Sequence, residues 1–139
     1  MNSIKDVVLK NLTSHNNNSG NLVPIEFLKD LNTEIKRSFI ISSDKENIIR
    51  GKHAHKDLNQ FLICLRGTCK IICDDGITKK NFTLNRPDQV LYIPNHIWSE
   101  QNYINKSTIL LVFCDDYFKE SDYIRNYSDF KLFREKRLN

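Results

Sequence analysis

Between Gln60 and Leu84 the chain passes through three β-prone segments separated by two turn dipeptides: QFLICL, Arg66-Gly67, TCKIIC, Asp75-Gly76 and TKKNFTL. Branched and aromatic side chains suit a pleated, half-buried surface, and glycine supplies the backbone angles that a tight reversal needs. The stretch therefore predicts an antiparallel meander with its glycines at the reversals. Two more segments follow, VLYI at Val90–Ile93 and TILLVF at Thr108–Phe113, the second continuously apolar and so expected to be buried on both faces. Upstream, LVPIEFL (Leu22–Leu28) and IKRSFII (Ile35–Ile41) are also β-prone, while the polar run HNNNSGN (His15–Asn21) reads as a loop. So many short strands within 139 residues predict an all-β antiparallel sandwich or barrel.

The C-terminal segment has a different period. Tyr123, Ile124, Tyr127, Phe130 and Phe133 recur at three- and four-residue steps, which predicts one or two short helices over Ser121–Lys136 packed on the barrel. Residues 1–139 then form one domain, with an N-terminal segment and loop over 1–20 and a helical segment over 121–139. Hydrophobic residues at 40% and charged residues at 27% are enough to build a core and argue against disorder. The apolar runs Phe61–Leu65 and Ile109–Cys114 are far shorter than the ~18–20 residues of a membrane span, and no secretory leader is recognisable. A cytoplasmic location is expected. The net charge of +4 is mild and its cations alternate with acids. The one local excess, Lys131, Arg134, Lys136 and Arg137, suits a helix C-terminus, so no nucleic-acid partner is expected. Cys64, Cys69, Cys73 and Cys114 include no two-residue spacing of the zinc or redox kind and read as buried, reduced thiols.

Chemistry concentrates in Arg50-Gly51-Lys52-His53-Ala54-His55-Lys56, followed by Gln60 and Gly67. Residues two apart in a strand point the same way, so His53 and His55 emerge side by side, as metal ligands, as an acid–base pair or as a satisfied structural pair. The spacing resembles the first motif of the cupin superfamily, with Gln60 where that motif has Glu and Gly67 in register. Pro94 fits the second cupin motif, but Ser99 stands where its His would be. A metal-binding cupin uses all four ligands. This chain keeps two, with a neutral amide and a hydroxyl in place of a carboxylate and an imidazole, so no metal is expected.

Longer strings narrow the resemblance. GNLVPIE (Gly20–Glu26), Lys36-Arg37, RGKHAHK with Gln60, LRGTCKI, Asp74–Gly76, PNHIWSE (Pro94–Glu100) and DYFKESDYIRNYSDF (Asp116–Phe130) resemble, in order, the cupin branch of nucleotide-sugar 3,4-ketoisomerases that act on dTDP-4-keto-6-deoxyglucose. Ser99, where the family tends to have His, and Ser19, where it often has Arg, depart from that pattern. The resemblance implies a cupin-type jelly-roll barrel with short C-terminal helices, a homodimer, a dTDP-sugar substrate and no cofactor. It further implies 3,4-ketoisomerisation through an enediol, feeding synthesis of a 3-amino sugar for a surface polysaccharide. A dTDP-sugar 3,5-epimerase and a non-catalytic nucleotide-sugar-binding cupin are the alternatives. Within it, His55 is expected as the base at C3 and His53 as the proton shuttle, the reverse order remaining open. Arg125, Arg37 and Arg50 are candidates for the diphosphate, Arg125 foremost, with Trp98 and Phe39 as stacking surfaces and Gln60 as a polar contact.

Overall fold

In the computed structural model, which describes residues 1–139, the strands are β1 (Val8–Asn11), β2 (His15–Asn17), β3 (Gly20–Leu22), β4 (Arg37–Ser42), β5 (Ile48–His55), β6 (Gln60–Arg66), β7 (Cys69–Asp74), β8 (Lys79–Leu84), β9 (Gln89–Ile93), β10 (Trp98–Tyr103), β11 (Ile109–Cys114) and β12 (Tyr123–Ile124). One α-helix, α1 (Tyr127–Leu138), closes the chain. Two five-stranded antiparallel sheets face each other, ordered β1-β9-β6-β11-β4 and β12-β5-β10-β7-β8, with β2 and β3 forming a separate hairpin. This is the expected all-β class. The barrel does not close. No helix is long and apolar enough to cross a membrane.

The space between the sheets is filled by Leu62, Cys64, Cys69, Ile71, Cys73, Leu84, Leu91, Tyr103, Leu110 and Val112 among others. A second cluster, including Phe61, Ile63, Val90 and Phe113, covers the far side of the first sheet. β6 and β11 therefore bury side chains on both faces, which is why they read as continuous apolar runs. All four cysteines are buried and unpaired.

The predicted meander is only half present. β7 and β8 form a hairpin, but β6 pairs with β11 and β9 in the first sheet while β7 pairs with β10 and β8 in the second. At Gly67 the chain thus crosses between sheets. Its φ is +76°, and a Cβ there would stand 2.6 Å from Thr108 Oγ1 and 3.2 Å from the Thr108 Cα, so the crossing has room for glycine alone. A turn signal marks a reversal without saying which strand receives the chain.

Two other expectations change. The run His15–Asn21 is a β2–β3 hairpin, whose turn is held by Asn17 Oδ1 accepting from the Ser19 and Gly20 amides. Local side-chain bonding of this kind needs no apolar signal. The predicted helix start at Ser121 is also displaced. Tyr123 and Ile124 extend beside β5, opposite His55 and Ala54, and α1 begins only after Asn126, whose side chain accepts from the Asp129 amide as an N-cap. Ile124, Phe130 and the partly buried Phe133 join Ala54 and Trp98 on the outer face of the second sheet, whereas Tyr123 turns inward.

One irregularity orients the site. Along β5 and β10, His53 lies opposite Ser99 and Arg50 opposite Gln101, so three steps on β5 match two on β10. The extra residue is a bulge at Gly51, where φ is +68°. Without it Arg50 would face away from His53. With it, Arg50, His53 and His55 share the inner face with Ser99, Gln101 and Tyr103.

Candidate active site

His53 and His55 project from the end of β5 into the space between the sheets, with ring centroids 4.8 Å apart and planes at 83°. The Tyr123 ring packs against both, 5.0 Å from His53 and 4.4 Å from His55. His55 is only 5% exposed, whereas His53 is half-buried. The Nδ1 of His55 lies 2.9 Å from Asp122 Oδ2, and Asp122 Oδ1 accepts from the Asp57 amide at 2.7 Å. Since a carboxylate can only accept, His55 carries its proton on Nδ1 and presents Nε2 as an acceptor. That Nε2 is buried with no hydrogen-bond partner.

The opposite wall belongs to the first sheet. Gln60 of β6 and Arg37 of β4 flank Cys114 of β11 at one register, and both donate to its Sγ, at 3.8 Å and 3.6 Å. Arg37 also lies over Phe39, 5.2 Å from the ring centroid, and over Phe118 at 5.6 Å. Its Nε is buried without a partner, and no carboxylate pairs with it. Phe118, 55% exposed, meets Tyr123 at 5.7 Å and so joins the two walls at the rim. Arg125 covers the outer side of Tyr123 at 4.1 Å, but its guanidinium is held by Glu120 at 2.9 Å and 3.0 Å.

Of the residues singled out from sequence, His53, His55, Gln60, Arg37 and Phe39 thus lie on the facing inner walls. Arg50 faces the same side but is exposed, and Arg125 sits at the rim in an ion pair. Trp98 does not join them. The alternation of β10 puts it on the outer face, 5% exposed, 5.7 Å from Phe130 under α1. His96 is also turned away, its ring 5.3 Å from Phe133. Asp122, Tyr123, Phe118 and Cys114 were not singled out. Asp122 and Phe118 lie in the string Asp116–Phe130 outside its helical stripe, Tyr123 reads there as a packing residue of that stripe, and Cys114 reads as a buried thiol. No three His, Cys, Asp or Glu side chains are spaced to hold a metal ion.

Burial, reinforced by the neighbouring His55 and Arg125, pushes the His53 pKa down to about 3. Burial also lowers His55, aided by Arg37 and Arg125 and opposed by the hydrogen bond and charge of Asp122. Both rings are therefore neutral near pH 7. The consequence for stability has a definite sign. Below the unfolded value of about 6.5 the unfolded chain binds protons that the native rings refuse, so stability falls as pH drops from there toward 3. His96, lowered chiefly by burial, adds to the same trend. Thermal midpoints measured from pH 7 to pH 4 should decline steadily, and His53→Asn should flatten the decline; an unchanged slope in that variant would refute the assignment.

A family model described as FdtA, WxcM-like, C-terminal, matches residues 5–135. The chain belongs to that family. The TDP-4-oxo-6-deoxy-alpha-D-glucose-3,4-oxoisomerase of Aneurinibacillus thermoaerophilus is 40% identical over 114 residues, 82% of each chain. The QdtA sugar 3,4-ketoisomerase of Thermoanaerobacterium thermosaccharolyticum, solved with TDP, is 36% identical with a TM-score of 0.92, covering 99% of this chain and 100% of its own. The WlaRB TDP-quinovose 3,4-ketoisomerase of Campylobacter jejuni is 40% identical with a TM-score of 0.86, covering 93% and 99%. A dTDP-4-dehydrorhamnose 3,5-epimerase from Bacillus anthracis, at 14% identity and a TM-score of 0.78 over 88% of this chain and 79% of its own, shares the fold alone. The three relatives of 36–40% identity are all named as sugar 3,4-ketoisomerases or 3,4-oxoisomerases.

Proposed function

We propose that this member of the FdtA family is a TDP-sugar 3,4-ketoisomerase that converts TDP-4-keto-6-deoxyglucose to the 3-keto isomer by histidine acid–base chemistry. The observation that carries the reading is two neutral imidazoles facing Arg37, a guanidinium without a carboxylate partner, across one cleft.

Moving a ketone from C4 to C3 takes the proton from C3, forms an enediol, passes the O3 proton to O4 and returns a proton to C4. No electron leaves the sugar. The residues required are a neutral base at C3, a second proton carrier and donors for the enediolate oxygens. His53 is the better placed base, because it is the ring open to the cleft while His55 is almost fully covered. This reverses the order expected from sequence. His55 stands 4.8 Å behind as the second carrier, its Nε2 free to accept. Gln60 Nε2 and Arg37 are donors on the facing wall. Arg37 also ranks ahead of Arg125 for the diphosphate, since the Arg125 fork is already filled by Glu120. Phe118 and Phe39 offer the aromatic surface for the base.

The same reading includes a homodimer. The β2–β3 hairpin stands off both sheets, and Leu22 and Leu28, 64% and 71% exposed, give the apolar surface a second copy would cover. It also places the protein before an amine-transferring step, which needs a ketone at C3 to make a 3-amino sugar for surface polysaccharide.

Incubation with TDP-4-keto-6-deoxyglucose in deuterium oxide tests the proposal. Deuterium at C4 with the ketone moved to C3 is expected. Label at C3 and C5 with the ketone left at C4 would make the protein an epimerase, and binding without exchange would make it a non-catalytic module.

A further inference from the structure

We propose that Asp122 is a positioning residue for the proton transfers: it fixes the Nδ1–H tautomer of His55 and makes that ring the site where the travelling proton rests. The inference depends on the two-histidine reading and extends it to a residue that never meets the sugar.

Asp122 ends a short 3₁₀ turn, Glu120–Asp122, directly before β12. Its placement is over-determined. The Asp122 carbonyl accepts from the Lys56 amide at 2.9 Å, Oδ1 accepts from the Asp57 amide at 2.7 Å, and Tyr123 pairs with His55 in the β5–β12 ladder. Oδ2 is thereby delivered to His55 Nδ1 at 2.9 Å, with the acid 9% exposed. Other groups facing His55 are His53 on its own strand, Tyr123 on β12, and the cations Arg37 and Arg125. Both arginines oppose a charge on the ring, and Asp122 alone favours one. His53 has no such acid beside it. The two imidazoles therefore differ in proton affinity by design of their surroundings, which gives a proton taken by the open ring a place to settle on the covered one. A buried carboxylate held against the remote nitrogen of a histidine sets its tautomer and steadies the imidazolium that forms.

The test uses the full-length protein. In wild type, ¹⁵N NMR of the histidine rings should show neutral His55 protonated on Nδ1, the less common tautomer. Asp122→Asn, which keeps the shape and removes the charge, should shift that signature toward Nε2–H and lower kcat by about 10²–10⁴-fold with KM changed by no more than about twofold. TDP binding should be retained. A wild-type His55 protonated on Nε2 overturns the assignment even if the variant does not fold. So does a variant with wild-type kcat, or one that loses kcat while the His55 signature stays in place. His55→Gln separates this inference from its foundation. Wild-type turnover there sinks the two-histidine reading, whereas lost turnover there combined with intact turnover in D122N sinks only the role of Asp122.

Discussion

His53→Asn is expected to slow ketone transfer by about 10²–10⁴-fold while TDP still binds. The amide fills much of the volume of the imidazole and can hydrogen-bond, but it cannot accept a carbon-bound proton at neutral pH. General acid–base groups contribute about 10²–10⁴-fold each, and no other base in the cleft is as open. His55 is covered, Asp122 is engaged by His55 and the Asp57 amide, and Arg37 and Gln60 can only donate from their nitrogens. The informative measurement is loss of the C3 proton to deuterium oxide, followed by NMR before any product accumulates. His53→Asn should lose this exchange altogether. His55→Gln should retain part of it, because the first proton can still leave C3 even when its onward passage is blocked. The opposite result, exchange surviving in His53→Asn and vanishing in His55→Gln, would restore His55 as the base.

The largest effect on stability is expected from Phe130→Ala. Phe130 is fully buried where α1 crosses the outer face of the second sheet, against Trp98, Ile124 and Ala54. Truncating a buried phenylalanine costs about 3–5 kcal/mol, a large share of the 5–15 kcal/mol typical of a whole domain. At this chain length the thermal midpoint should fall by roughly 10–15 °C. Activity should suffer beyond the melting shift. The same cluster seats Ile124, so loosening α1 frees β12 and with it Tyr123 and Asp122, which pack on the histidines from the other side of the strand. Tyr127 bonding Asp74 at 2.7 Å, and Arg134 donating to the Asn2 and His96 carbonyls, still fasten the helix ends. Local release of β12 should therefore precede global unfolding. Turnover at 25 °C that matches wild type, alongside a lowered midpoint, would show that the helix only stabilises.

The fold class and the side-by-side placing of the two imidazoles were legible in the sequence because they rest on local periodicity. His-x-His in an apolar strand puts two rings on one face whatever the fold around it, and alternating short segments with glycine turns specify an all-β chain. Partnership between strands was not legible. Nothing in LRGTC says that the segments on either side of Gly67 enter different sheets, because that choice is made by pairing with β11 on one side and β10 on the other, both further along the chain. The side of the sheet on which Arg50 sits was hidden for a related reason: strand parity counts residues, and a single bulge at Gly51 resets the count. Asp122 was missed because a lone acid in a mixed segment gains meaning only when folding lays it beside a histidine 67 positions away.

The crossing at Gly67 bears on how the molecule assembles in time. Apart from the two hairpins β2–β3 and β7–β8, each ladder joins segments far apart in the chain, such as Gln60 with Cys114 or Ser99 with His53. Closing such loops costs entropy before any contact repays it, and chains dominated by distant pairings fold over milliseconds to seconds. The β7–β8 hairpin needs no distant partner and can form on its own. The strand that carries both histidines has β10 and β12 as its neighbours, both later in the chain, so the paired surroundings of His53 and His55 cannot be complete until those distant segments have docked.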